Sequence, residues 1–172
     1  MAELADALAS GASDRKIIGV RLSFPAHTSR TTTHKRKIEF MADCVFCKII
    51  KREIPAQIVW ENDGFLSMLD VRPAQPGHLL IIPKEHIDNV FDMPDELYGK
   101  LFAIAKVLSK PLQKAMGSVR VGMVVEGFGV PHAHLHLIPI NKAHDLDSTN
   151  ARTMDEEELK GIAEKIIAEI KN

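Results

Sequence analysis

The sequence predicts an α+β domain: an antiparallel five-stranded sheet with a main helix and a C-terminal helix. Three observations carry that prediction. Five short β-rich runs are separated by turn signals. Two longer segments show helical rather than alternating periodicity. The elements follow the order strand-strand-strand-helix-strand-strand-helix, which favours helices packed on an antiparallel sheet.

Each element has its own justification. "DCVFCKIIKREIP" reads as a short helix ended by Pro55. "AQIVWEND" and "FLSMLD" are β-rich runs joined at Asn62-Asp63-Gly64, a hairpin signal. "GHLLIIPK" is a third strand, continuously apolar and stopped by Pro83. "PDELYGKLFAIAKVLSKPLQKAM" is the main helix. Pro94 and Asp95 suit its first turn, and Pro111 is expected to kink or break it. "VRVGMVVEG" is a fourth strand and "HAHLHLIPI" a fifth. The last helix opens with Thr153 and Glu156 at capping-box spacing. It then places Leu159, Ile162, Ala163, Ile166, Ile167 and Ile170 on one stripe.

At 172 residues the chain is long enough for one domain with a real core and short for two. The net charge is −1, so overall electrostatics point to neither nucleic acid nor membrane. No apolar run approaches a membrane span, and no secretory signal is visible; the expected location is cytoplasmic. The two cysteines, Cys44 and Cys47, are spaced C-x-x-C. Without a signal peptide, that pair suits a metal or redox site better than a structural disulfide.

The division expected is a disordered extension over residues 1–40 and a folded domain over 41–172. The extension is polar and threonine-rich, with seven Lys/Arg against four Asp/Glu; the remainder has fifteen against nineteen. It contains one short helical pattern, "AELADALAS". Its "HKRK" could touch nucleic acid, but a solvated basic tail is the simpler expectation. Codons compatible with Gly19-Val20-Arg21-Leu22 and with residues 2–7 resemble the arms of a transfer-RNA gene. That resemblance raises the expectation of a mis-annotated start, with translation beginning at Met41.

The chemistry concentrates in "VPHAHLHLIPI", residues 130–140. In a strand, His132, His134 and His136 share one face, while Ala133, Leu135 and Leu137 share the other. Three imidazoles in that pattern can be metal ligands, bases or nucleophiles, or a histidine-rich solvent face. The preceding "VEGFGVP" sets Gly127, Gly129 and Pro131 in a tight turn. Glycine lets backbone N–H groups approach an anion closely, which suits a phosphate attacked by nitrogen. The same glycines also suit a plain hairpin.

H-x-H-x-H followed by apolar residues and Pro139 resembles the signature of the histidine triad (HIT) family of nucleotide hydrolases and transferases. "CVFCKIIKREIPAQIVWENDGFLSMLDVRPAQPGHLLIIPKEHIDNV" is similar to bacterial zinc-bearing members related to purine-nucleoside phosphoramidases. The resemblance covers residues 41–145. It implies that His134 attacks the α-phosphate of a purine nucleotide, forming a nucleotidyl-histidine that water hydrolyses. It implies that His136 contacts the phosphate and manages protons, and that His78 orients the nucleophile. Asp70 would accept hydrogen bonds from ribose hydroxyls, and Gly127 and Gly129 would lie near the phosphate. Cys44, Cys47, His86 and His132 would hold a structural zinc. Residues 95–116 and the fourth strand would join two copies as a homodimer.

The substrates so implied are a nucleoside phosphoramidate, an adenylate or a dinucleoside polyphosphate. Two other readings stand beside this one: a nucleotide-binding module with little turnover, and a histidine-metal enzyme with the triad around a catalytic metal. The chain departs from its relatives at "EGFGVP", which is shorter by about three residues and lacks their Gln and Ser/Thr. That bears on phosphate grip and substrate choice. The tryptophan-bearing tail of some animal members is also absent.

Overall fold

The structure, a computed structural model, describes residues 44–172. The expectations for residues 1–40 and for a start at Met41 lie outside the described residues.

Helix α1 spans Val45–Ile50. Strand β1 spans Ile58–Glu61, β2 Phe65–Leu69 and β3 Leu79–Pro83. Helix α2 is Asp95–Met116, β4 Arg120–Val124, β5 Leu135–Ile140 and α3 Glu156–Lys171. All strand pairs are antiparallel, in the order β1-β2-β3-β5-β4. The predicted α+β class, with its five-stranded antiparallel sheet and two long helices, is what the chain adopts.

Both faces of the sheet are covered, by different elements. On one face Leu79, Ile81, Leu135 and Leu137 pack with Leu101, Leu108 and Leu112 of α2 and with Ile162 and Ile166 of α3. On the other, Phe46, Cys47 and Ile49 of α1 pack on Leu66, Met68, Leu80 and Ile82. Central β3 is therefore buried on both sides, which is why its sequence is continuously apolar and not alternating. Each fully buried Leu or Ile contributes about 1.5–3 kcal/mol. Because α1 is short, it covers only part of its face, and the rest of that face is the floor of a cleft.

The β1–β2 turn is as expected. Asn62 Oδ1 accepts from the backbone N–H of Gly64 at 3.0 Å and of Phe65 at 2.8 Å. Four boundaries differ from the sequence expectation, each for a local reason. Helix α1 ends at Ile50, well before Pro55. Arg52 takes a left-handed φ of 65°, and the Arg52 and Glu53 N–H groups close back on Ile49 O and Lys48 O. This pairing satisfies the last carbonyls in the Schellman manner without a glycine. Helix α2 runs unbroken through Pro111. The carbonyl that proline cannot bond belongs to Val107, which is 67% exposed, so water can take the missing donor's place.

The α3 cap is Asp155, not Thr153: its Oδ1 accepts from Glu158 N at 2.8 Å. Thr153 is held in the connection to α3 because its neighbours Arg152 and Met154 donate to Pro73 O and Val71 O. Asp155→Ala is expected to cost about 1 kcal/mol, read from urea unfolding midpoints; Thr153→Ala should cost clearly less. Finally, β5 begins at Leu135, so only His136 of the triad lies within the strand. His132 and His134 sit in the extended segment leading into it, where His132 N and Ala133 N bond to Val130 O and Ile87 O and not to β4.

Candidate active site and metal centre

The alternation read from the sequence survives that boundary shift. Ala133, Leu135 and Leu137 enter the helix-side core, and the three histidines face the other way. They nevertheless have three different environments.

His132 is fully buried beside Cys44, Cys47 and His86. Its Nδ1 lies 3.4 Å from Cys44 Sγ and 3.6 Å from Cys47 Sγ, and His86 Nδ1 lies 3.2 Å from Cys47 Sγ. Zn–S bonds of about 2.3 Å and Zn–N bonds of about 2.0–2.1 Å in a tetrahedron require donor–donor separations of about 3.4–3.8 Å. The two His132–sulfur spacings lie within that range, and the 3.2 Å from His86 Nδ1 to Cys47 Sγ lies just below it. The tautomer fits too. His132 Nε2–H donates to Pro83 O at 2.8 Å, which turns the Nδ1 lone pair toward the sulfurs. Burial, reinforced by Cys44, pushes the Cys47 thiol up to about 11. Burial also pulls His132 down to about 4. A neutral His132 imidazole beside buried sulfurs, with His86 completing the cluster, makes a donor set compatible with zinc.

His134 is held by the backbone of His132. Its Nδ1 lies 2.6 Å from His132 O. A carbonyl can only accept, so Nδ1 carries the proton and Nε2 carries the lone pair. The ring sits edge-on to Phe46, with centroids 5.2 Å apart, and Phe46 also meets His132 at 5.9 Å. Phe46 lies between the two cysteines in sequence, so a metal that fixes both cysteines also fixes the wall against which His134 rests. The sequence reading did not single out Phe46; its signal was an aromatic residue inside the C-x-x-C pair.

His136 pairs with His78, not with a metal ligand. His78 Nε2 and His136 Nδ1 are 2.8 Å apart. Asp70 stands beside them, its Oδ2 3.7 Å from His78 Nδ1 and its Oδ1 accepting from Arg72 N at 2.8 Å. Burial is the main influence on both rings, lowering His78 and taking His136 to about 4, so both are neutral near pH 7. His78 thus contacts the third histidine and not the nucleophile candidate. Gly77 presents it: φ is 85°, and a Cβ there would lie 2.7 Å from Met116 Cγ, so side chains are excluded twice over.

The three triad histidines do not converge on one point. Among the described residues, the clusters able to hold a metal are Cys44–Cys47–His86–His132 and Asp70–His78–His136. That arrangement speaks against a catalytic metal held by the triad itself.

A cleft of about 680 Å³ joins these groups. His78, His134, His136, Asp70, Gly127 and Gly129 all line it. One end is apolar, made by Val45, Phe46, Ile49, Ile54, Met68 and Leu80. The other end is bounded by Phe128, which is 93% exposed, and by Leu146, Ser148 and Ala151 from the segment before α3. Gly127 has φ of 84°, which gives "EGFGVP" its reversal. The 146–151 wall was invisible in the sequence. It is anchored by buried Asp145, which accepts from Asn141 N, Lys142 N and Gln75 Nε2.

The profile of the HIT domain family matches residues 51–143. An adenosine 5′-monophosphoramidase of Schizosaccharomyces pombe is 33% identical over 74% of this chain and 98% of its own length. An uncharacterised HIT-like protein of Borreliella burgdorferi is 37% identical over 58% of this chain and 76% of its own. The crystal structure of a zinc-bound histidine triad protein from Mycobacterium smegmatis superposes with a TM-score of 0.66. It is 25% identical, over 76% of this chain and 95% of that one. With the fold, the cleft and the H-x-H-x-H segment all in agreement with that match, the chain belongs to the HIT domain family.

Proposed function

We propose that this protein is a nucleotide hydrolase in which His134 Nε2 attacks an α-phosphate and forms a nucleotidyl-histidine that water then hydrolyses. The observation that carries the proposal is the 2.6 Å contact between His134 Nδ1 and His132 O. It holds the ring as the tautomer whose Nε2 is nucleophilic, in a residue that lines the cleft. Attack at phosphorus breaks the bond to the leaving group and divides one hard displacement into two easier ones. As Nε2 bonds to phosphorus the ring gains positive charge, and the carbonyl on Nδ1–H stabilises that charge.

The apolar end of the cleft suits a purine base, Asp70 the ribose, and the turn at Gly127 and Gly129 the phosphate. The relative that acts on adenosine 5′-monophosphoramidate supports an adenosine nucleotide with an amine leaving group. The test is a panel of nucleoside phosphoramidates, adenylates and dinucleoside polyphosphates, with acid-quench mass spectrometry for a nucleotide attached to the peptide holding His134. Turnover with the adduct at no histidine would overturn the mechanism.

Zinc in the Cys44–Cys47–His86–His132 cluster would tie α1 to the segments following β3 and preceding β5. There it would supply structural cross-linking and no open coordination position. The zinc-bound relative supports this assignment.

A homodimer through α2 and β4 belongs to the same reading. Exposed Val107 on α2, Val119 in the turn after it and Met123 on edge strand β4 provide an apolar surface there. Light scattering is expected to give twice the chain mass. The double variant Val119→Asp/Met123→Asp should give the single mass, because two charges per chain would have to be buried without partners.

A further inference from the structure

The floor of the cleft has two apolar halves, and a nucleoside needs only one of them. His136 stands on the dividing line. Leu80 lies across from it on β3 and Val124 across from it on β4. Leu80 belongs to the end under α1, where the base is placed. On the other side, Gly122 pairs with Ile138, so Val124 and Ile138 continue the histidine-bearing face beyond the triad. Both line the cleft.

Leu146 walls this second half. It is seated on Gly122, where a Cβ would lie 3.2 Å from Leu146 Cγ and closer still to both methyls. Glycine inside a strand weakens it, and it marks a place where another group approaches closely. The wall is built before any ligand arrives. Asp145, next in sequence, accepts from Asn141 N, Lys142 N and Gln75 Nε2, and Asn150 Nδ2 donates to His144 O at 2.9 Å. Leu146 nevertheless remains 38% exposed, and the ring of Phe128 bounds the same end almost bare. Among the described residues, four of the eight large exposed hydrophobics, Val45, Val71, Phe128 and Leu146, line this one cleft. Exposed apolar surface gathered around a concavity is what a ligand with apolar parts covers.

Charge points the same way. The charged side chains lining the cleft are Asp70, Arg72 and Glu126, one cation against two acids. A leaving group that carries several phosphates would bring more negative charge with no lysine to meet it.

We propose that Val124, Phe128, Ile138 and Leu146 form a leaving-group subsite that selects amines with an apolar chain and rejects polyphosphates. The inference rests on the covalent reading above, and it names the leaving-group class of that same site. In-line displacement puts the departing atom opposite His134 Nε2. With the nucleoside under α1, the β4–β5 half is the part of the cleft left for the departing group. Leu146 and Phe128 are then specificity residues. They add no bond to phosphorus and act through the area they remove from water.

The test measures kcat/KM for the n-hexylamide and the methylamide of adenosine 5′-monophosphate, whose amines have similar basicity, and for diadenosine tetraphosphate. The wild type is expected to favour hexyl over methyl by about 30-fold. Leu146→Ala should lower that ratio to about threefold or less, and Phe128→Ser, at an exposed position, decides the point if Leu146→Ala does not fold. Leu146→Lys should raise diadenosine tetraphosphate relative to the hexylamide by about tenfold. A wild-type ratio near one, or a ratio undiminished in the alanine variant, would overturn the subsite. No relative gain in the lysine variant would overturn the rejection of polyphosphates. Undiminished turnover of these substrates by His134→Ala would instead overturn the covalent reading, whatever the ratios.

Discussion

His134→Ala is expected to lower turnover by roughly four to six orders of magnitude, while binding of adenosine 5′-monophosphate changes little. The asymmetry follows from where the groups lie. Binding area comes from the apolar end of the cleft, made by Val45, Phe46, Ile49 and Met68. None of these supplies an electron pair. Removing the ring removes the only bond formed to phosphorus in the first step, so the loss falls on kcat. Truncation also empties the space beside Phe46, which costs about 2–4 kcal/mol of stability. A circular dichroism spectrum and a calorimetric binding titration therefore accompany the kinetics. A folded variant that binds and still turns over at more than about a hundredth of the wild-type rate would eliminate His134 as nucleophile.

Loss of the metal site is expected to have the largest effect on stability. Zinc bound at a thousand times its dissociation constant stabilises the folded chain by about 4 kcal/mol. Cys47→Ser should lose at least that much and bind less than one zinc per chain by elemental analysis. The damage should be local first. Helix α1 has only six residues and packs on the sheet through Phe46, Cys47 and Ile49. Too short to persist alone, it should lose amide-exchange protection before α2 does. The main core under α2 and α3 contains no metal ligand and should survive. A wild-type protein that carries no zinc, or a Cys47→Ser variant with unchanged melting temperature, would remove the structural-zinc assignment. Turnover is a separate readout. It should decline in step with α1 order, because α1 contributes Val45, Phe46 and Ile49 to the cleft.

How far the sequence reached can be judged residue by residue. Strand positions were legible because each strand has a short apolar run and a turn with a mechanism, as at Asn62-Asp63-Gly64. The helical stripe of α3 was legible because Leu159, Ile162, Ala163 and Ile166 repeat with the helical period and are all buried. Caps were less legible. Thr153 and Asp155 are both good cap residues, and the choice fell to Asp155 because Arg152 and Met154 are bonded to the 71–73 loop. Pro111 misled because the rule for proline counts a lost hydrogen bond to the carbonyl four residues back, and Val107 there lies on the exposed side of α2.

The candidate site divides in the same way. The sequence by itself determined which side chains could do chemistry: three alternating histidines, a C-x-x-C pair, His78, His86 and Asp70. Alternation along one extended segment is a local property, and it put the triad opposite Ala133, Leu135 and Leu137. Which partners His132 and His136 meet was decided only by the tertiary structure. His132 meets cysteines 85 and 88 residues away, and His136 meets a ring 58 residues away. The distant partners fix the tautomers of His132 and His136, whereas His134 takes its tautomer from the carbonyl of His132, two residues back. Pairings across such distances depend on the order of strands in the sheet, and no local pattern encodes which neighbour a ring nitrogen will find.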